Sequence, residues 1–193
     1  MDKVCNSYWH WNNIIPQEIC QKIIGLSENR WKEAEIVGSV DEEPSLENVR
    51  ESSTVWLTEE WLHELLIPFF HTANNSAGWK YDISAAENMQ LTRYMENGFY
   101  KWHFDGMGCH NSIIDLPDTA IHGKTRKLSL TVILNSDFEG GQFEFFDIEP
   151  KGQPKMDIGS IVVFPSWQYH RVTAVTKGIR YSLVAWAVGP PFL

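Results

Sequence analysis

A chain of 193 residues that is 43% hydrophobic and 13% aromatic can bury a sizeable core, and a single domain over 1–193 is expected. Its formal charge of −9 disfavours a polyanion binder, because phosphate backbones are held mainly by Lys and Arg, so no nucleic-acid partner is expected. Cys5, Cys20 and Cys109 are too scattered for a disulfide framework, and no run reads as a secretory leader or a membrane span; a cytoplasmic protein with no membrane partner is expected.

Residues 1–87 read as helices and edge strands. Ile15, Ile19, Ile23 and Leu26 recur at helical spacing across 14–28, with Pro16 near the start. A second helix is expected from Thr58 as N-cap, with Glu59 and Glu60 in its first turn. Its buried stripe would be Trp61, Leu62, Leu65, Leu66 and Phe69, and Pro68 should kink or shorten it. Extended segments near 35–40 and 49–57 would add edge strands. His63 and His71 are assigned surface or core roles.

From residue 87 onward the pattern becomes short strands divided by turns, as in an antiparallel sandwich or barrel. Leu128, Leu130, Val132 and Leu134 face one way; Ser129, Thr131 and Ile133 face the other. A turn carrying Gly140 and Gly141 precedes an alternating run over 142–147. Residues 159–165 form an apolar strand, and the last strand places Arg180, Ser182, Val184 and Trp186 on one face. Segments 40–48 and 106–126 lack such patterning. The second, directly after Asp105, is either a lid over a binding site or a plain surface loop.

The chemistry concentrates in four residues. His103 and Asp105, two apart in an extended segment, share a face and can grip one metal ion. His170 would complete two histidines and one carboxylate, a set that leaves positions open and suits Fe(II). Ten residues further on, Arg180 offers a planar fork that matches a carboxylate. Zinc held by His103, Cys109 and a later histidine (His110 and His122 follow) is the competing reading. It lacks a paired cysteine and leaves Arg180 without a role.

The tract Arg-Tyr-Met-Glu-Asn-Gly-Phe-Tyr-Lys-Trp-His-Phe-Asp over 93–105 comes first, then the β-rich run 127–135. The two glycines, the 159–165 strand, His170 and Arg180 follow in order. As an ensemble over about 88–189, this resembles the iron- and 2-oxoglutarate-dependent dioxygenases, specifically the prolyl 4-hydroxylase-like branch. The resemblance implies a mainly β fold with flanking α-helices, its double-stranded β-helix (jelly-roll) core lying at 88–189. It implies Fe(II) on His103, Asp105 and His170, with 2-oxoglutarate and O2 as co-substrates and L-ascorbate as supporting reductant. Arg180 would take the far carboxylate of 2-oxoglutarate and Tyr94 would hydrogen-bond it, with Tyr100 a weaker candidate. Ser129 and Thr131 would line the pocket and Trp186 would wall it.

The implied reaction is hydroxylation of an unactivated C–H bond with release of succinate and CO2. A prolyl residue of a peptide or protein is the expected substrate, with Trp102 and Trp167 as faces for its ring or else as core residues. A free amino acid or small molecule is the enzymatic alternative, and a non-enzymatic metal-containing jelly-roll binding protein the other class. Nucleic-acid demethylases of this superfamily usually carry a second arginine six residues beyond the first, where this chain has Trp186.

Overall fold

The computed structural model describes residues 6–34, 49–106 and 113–192. Its elements in chain order are β1 (Trp9–Trp11), α1 (Gln17–Gly25), β2 (Lys32–Glu33), β3 (Arg50–Glu51), β4 (Ser53–Leu57), α2 (Glu60–Ser76), β5 (Ala85–Ala86), β6 (Met89–Tyr94) and β7 (Phe99–His103). There follow β8 (Thr125–Ile133), β9 (Phe138–Gly140), β10 (Phe143–Phe145), β11 (Ile161–Pro165), β12 (His170–Val172), β13 (Val175–Gly178) and β14 (Arg180–Gly189).

The larger sheet runs β1-β11-β8-β14-β6-β4-β2, with β5 added on β14; the smaller runs β10-β12-β7-β3, and β9 pairs with β13. Every strand pairing among the described residues is antiparallel, as a jelly roll requires.

Side-chain alternation sorts the larger sheet into two faces. Leu128, Leu130, Val132, Leu134, Leu183, Ala185 and Ala187 join Leu62, Leu66 and Phe70 of α2 in one core. Burying one such side chain fully is worth about 1.5–3 kcal/mol, so this face fixes the helices on the sheet. The opposite face looks toward the smaller sheet, where Tyr94, Phe143, Phe145, Val162, Phe164 and Val172 form a second cluster. The candidate site residues lie between the sheets, beside that cluster.

The helices differ from expectation at their ends. α1 covers Gln17–Gly25 with Pro16 as its N-cap, shorter than 14–28. α2 starts at Glu60 behind Glu59 with no side-chain cap, so Thr58 does not cap it. It also passes through Pro68 and continues to Ser76. Pro68 and Glu64 are both exposed, so the carbonyl that loses its donor lies on the solvent side and the apolar stripe continues past it through Phe70 and Ala73. Trp61, Leu65 and Phe69 flank that stripe, half-buried.

The 49–57 segment divides between the two sheets: Arg50–Glu51 edges the smaller one on β7, whereas Ser53–Leu57 lies inside the larger one between β6 and β2. β8 begins at Thr125, so the irregular stretch after Asp105 is shorter than 106–126. Its second half closes on itself, Ile114 N–H donating to Lys124 O (2.8 Å) and Gly123 N–H to Ile114 O (2.9 Å). The expected strand at 35–40, the acidic 40–48 stretch and the 107–112 part of the irregular 106–126 segment lie outside the described residues. No helix of the described residues is long and apolar enough to cross a membrane.

Candidate metal and co-substrate site

Strands β7 and β12 are neighbours, and His103 and His170 stand directly opposite each other in their register. Asp105 lies two residues past the end of β7, its N–H and that of Gly106 both donating to Ser166 O (3.0 and 2.9 Å). His103 Nε2 comes within 3.6 Å of Asp105 Oδ1, and His170 Nε2 within 3.7 Å of Asp105 Oδ2. One ligand atom from each of the three residues lies within 4.8 Å of the others, the separation a single divalent ion can bridge.

Main-chain carbonyls orient both imidazoles. His103 Nδ1 bonds Lys101 O at 2.8 Å, and His170 Nδ1 bonds Gln168 O at 2.9 Å. A carbonyl only accepts, so each Nδ1 carries a proton, and Nε2 is the ring atom left to meet a metal ion at the shared point. Burial pushes the His170 pKa down to about 4, which keeps the ring neutral at neutral pH. Burial opposes ionisation of Asp105, yet His170, His103 and Arg126 outweigh it and hold the carboxyl well below the usual carboxylate range. A neutral His170 and an ionised Asp105 are in the protonation states that metal binding needs, and three ligands with positions left open suit Fe(II).

The three side chains open into a cavity of about 620 Å3 that Tyr94, Thr131, Arg180 and Trp186 also line. Arg180 is only 1% exposed. Its Nη1 donates to Ser182 Oγ at 3.0 Å and its guanidinium carbon lies 5.3 Å from the centre of the Tyr94 ring. Nε has no partner, and no carboxylate of the described residues pairs with the group. Burial lowers its pKa to about 10, which still leaves it charged at neutral pH. A buried, unpaired cation is costly, and an anionic ligand entering the cavity removes that cost. The chain makes room for it at Gly141: φ is +58°, and a Cβ there would stand 2.8 Å from Arg180 Cδ.

Tyr94 and Arg180 are register partners across β6 and β14, so one reads the other's position directly. Thr131 lines the cavity as expected, but Ser129 does not; its hydroxyl is buried against Ser166 Oγ at 3.0 Å. Trp102 is half-buried on the far side of β7, whereas Trp167 is 45% exposed and so is no core residue. His122 is exposed beside Asp115 (3.6 Å) and away from the cavity, and Cys109 and His110 lie outside the described residues.

Two features escape the sequence pattern, the first being how Tyr100, a candidate beside the co-substrate, meets His103 instead. β7 carries a bulge: two residues separate Tyr100 from His103, whereas one separates their partners Val172 and His170. The extra residue turns Tyr100 onto the His103 face, where the rings stack with centroids 3.4 Å apart and planes 14° from parallel. Burial drives the phenol up to about 12, so the ring is neutral. The second is Arg126, held by Glu87 at 2.6 and 2.8 Å, donating to Asp105 O at 3.2 Å and lying 3.9 Å from the Trp186 ring centre.

The family description that matches this chain is the 2OG-Fe(II) oxygenase superfamily, over residues 89–188, just over half of its length. A protein of Acanthamoeba polyphaga mimivirus, provisionally assigned as a prolyl 4-hydroxylase, is 23% identical over 96% of this chain and 76% of its own. A PKHD-type hydroxylase of Xylella fastidiosa is 30% identical over 50% of this chain, and the matched part spans 42% of that protein. The viral collagen prolyl hydroxylase of Paramecium Bursaria Chlorella virus-1, solved with 2OG, shares the fold (TM-score 0.68, 19% identity, 95% of this chain and 97% of that one). So does a Trichoplax adhaerens prolyl hydroxylase solved with a hypoxia inducible factor peptide fragment (TM-score 0.65, 16% identity, 94% and 83%). The chain belongs to the 2OG-Fe(II) oxygenase superfamily and is an oxidoreductase enzyme of the kind that uses Fe(II), 2-oxoglutarate and O2.

Proposed function

We propose that this enzyme hydroxylates a prolyl residue of a peptide or protein, with His103, Asp105 and His170 holding Fe(II) and Arg180 anchoring 2-oxoglutarate. The observation that carries the reading is that the two-histidine, one-carboxylate cluster and the unpaired Arg180 line one cavity. Relatives named as prolyl hydroxylases, one of them solved with a peptide fragment, support the choice of substrate.

Iron held by His103, Asp105 and His170 would, with 2-oxoglutarate and O2, supply the oxidation, in which one oxygen atom would end in the substrate C–OH, the other in succinate, with loss of CO2. The protein supplies the setting. Lys101 O and Gln168 O orient both rings so that Nε2 would meet the ion, and an ionised Asp105 would balance its charge. Arg180, already steadied by Ser182, would meet the far carboxylate of 2-oxoglutarate, and Tyr94 beside it would donate its phenol hydrogen to the co-substrate. Phe143, Phe164, Val172 and Val184 give the cavity apolar walls that exclude water. Ascorbate is expected to keep the iron reduced between turnovers.

The test is incubation of iron-loaded enzyme with 2-oxoglutarate, ascorbate and proline-containing peptides, reading succinate and the gain of one oxygen atom by mass spectrometry. Oxygen located on a residue other than proline, or succinate formed only with a free amino acid, would refute the prolyl assignment.

A further inference from the structure

Beyond the cavity, the outer face of the smaller sheet carries a partly exposed aromatic patch among the described residues that the proposed chemistry does not use. The inward turn of His103 and His170 leaves Trp102, Phe104 and Tyr169 pointing the other way. Phe146 joins them from the end of β10, its N–H bonded to Tyr169 O at 2.9 Å. The rings touch in sequence: Phe104 to Tyr169 at 4.5 Å, Tyr169 to Phe146 at 5.5 Å, Phe146 to Trp102 at 5.3 Å, and Trp102 to Tyr169 at 5.7 Å. Phe146 is 59% exposed and Phe104 49%. Single exposed aromatics are ordinary, but four in mutual contact mark a surface built to be covered.

Three observations indicate what covers it. The patch is continuous with the cavity, because Phe104 both belongs to it and lines the cavity wall one residue before Asp105. A chain whose target residue lies at the metal centre can therefore leave past Phe104 directly onto these rings. The rings also carry no charge of their own. Arg171 stacks 4.5 Å from the centre of Trp102 and is bound by Glu144 at 2.7 and 2.8 Å, so it is not free to pair with an acidic segment. An uncharged partner therefore loses least on this face. Finally, flat aromatic ring faces suit pyrrolidine rings, which a polyproline II segment presents at little entropic cost.

We infer that Trp102, Phe104, Phe146 and Tyr169 form a docking surface for a proline-rich segment of the substrate, several residues away from the proline that is oxidised. The inference rests on the prolyl reading for its biological sense, but binding at the patch is measurable without turnover. The patch then acts on KM alone: it holds long substrates and is indifferent to short ones.

The probe is a polyproline decamer titrated into the full chain, with and without Fe(II) and 2-oxoglutarate, followed by tryptophan fluorescence. Phe146→Ser removes the most exposed ring without touching the cavity, and Phe146→Tyr retains a stacking face. The decamer should bind the native protein and Phe146→Tyr alike, and bind Phe146→Ser about fivefold or more weakly. In turnover, Phe146→Ser should raise KM for a long proline-rich peptide by a similar factor, leaving kcat and the constants for a short peptide unchanged. Equal decamer affinity of native protein and Phe146→Ser overturns the inference. So does a decamer that fails to bind while sedimentation finds a dimer that Phe146→Ser dissociates, since the patch then belongs to a second copy of this chain. Phe146-dependent decamer binding with no peptide hydroxylated supports the patch and sinks the prolyl reading instead.

Discussion

Tyr100 and His103 share a face of β7 although they stand three apart, because a bulge between them adds a residue that the opposing strand lacks. In a regular strand, residues three apart point to opposite faces. The bulge thus places a neutral ring flat on a proposed metal ligand. Tyr100→Ala is expected to loosen that imidazole and weaken Fe(II) binding about two- to tenfold, the worth of one aromatic pair. Tyr100→Phe should keep native affinity. Both are read by titrating Fe(II) into the anaerobic protein.

Replacing a ligand outright should do far more. His103→Ala or Asp105→Ala is expected to abolish stoichiometric Fe(II) binding and succinate formation while the fold survives, since neither residue belongs to an apolar cluster. Metal analysis with circular dichroism checks both halves. Full iron retention in either variant would move the metal elsewhere.

Arg180→Ala should raise the constant for 2-oxoglutarate at least about 30-fold, because truncating one member of a buried charge pair typically costs about 2–5 kcal/mol. Iron binding should persist, and Arg180→Lys should recover only part of the loss. Without ligand the guanidinium is an unpaired buried charge, so Arg180→Met should leave the ligand-free protein at least as heat-stable as the native one. A thermal scan with and without 2-oxoglutarate distinguishes these effects.

Gly141→Ala tests the same anchor from a distance. The new methyl would meet Arg180 Cδ at 2.8 Å and occupy a backbone with φ +58°, a conformation that costs a side-chain-bearing residue roughly 1–2 kcal/mol. Weaker 2-oxoglutarate binding with unaltered Fe(II) affinity is expected.

The pH dependence of the ligand-free fold has a definite sign. His170 titrates at about 4 when folded, below its unfolded value near 6.5, so the unfolded chain binds the extra proton between those values. Stability is therefore full above about pH 6.5 and falls as pH drops toward 4, by about 3 kcal/mol from this residue. Asp105, held below its usual range, adds its own loss only at more acidic pH, as its carboxylate protonates. Urea unfolding at several pH values should show the decline, and His170→Gln should flatten its upper part.

The features visible in the sequence were those set by fixed periods. His103 and Asp105 two apart, the alternating faces of β8 and β14, and the glycine turn ahead of β10 follow from strand geometry and backbone sterics. The bulge was hidden because nothing in Tyr-Lys-Trp-His departs from a regular strand; it is defined by β12, about 70 residues away. Arg126 and Glu87 were missed for a similar reason, as an ion pair between residues 39 apart has no local signature and Arg126 fell within an apparent loop. The division of 49–57 between two sheets is likewise a tertiary choice, made where the chain leaves β7, the partner of Arg50 and Glu51, and pairs with β6 from Ser53 onward.

The histidine tethers carry a consequence for mutational tolerance. Each ring is aimed by the carbonyl two residues before it, Lys101 O for His103 and Gln168 O for His170. Every amino acid brings that carbonyl, so the aim of both imidazoles is written in chain direction rather than in the identity of a neighbour. Replacing the Lys101 side chain with Met should leave ligand orientation untouched. Local sequence can drift while the metal geometry stays fixed, provided the strand pairing that sets those two carbonyls is kept.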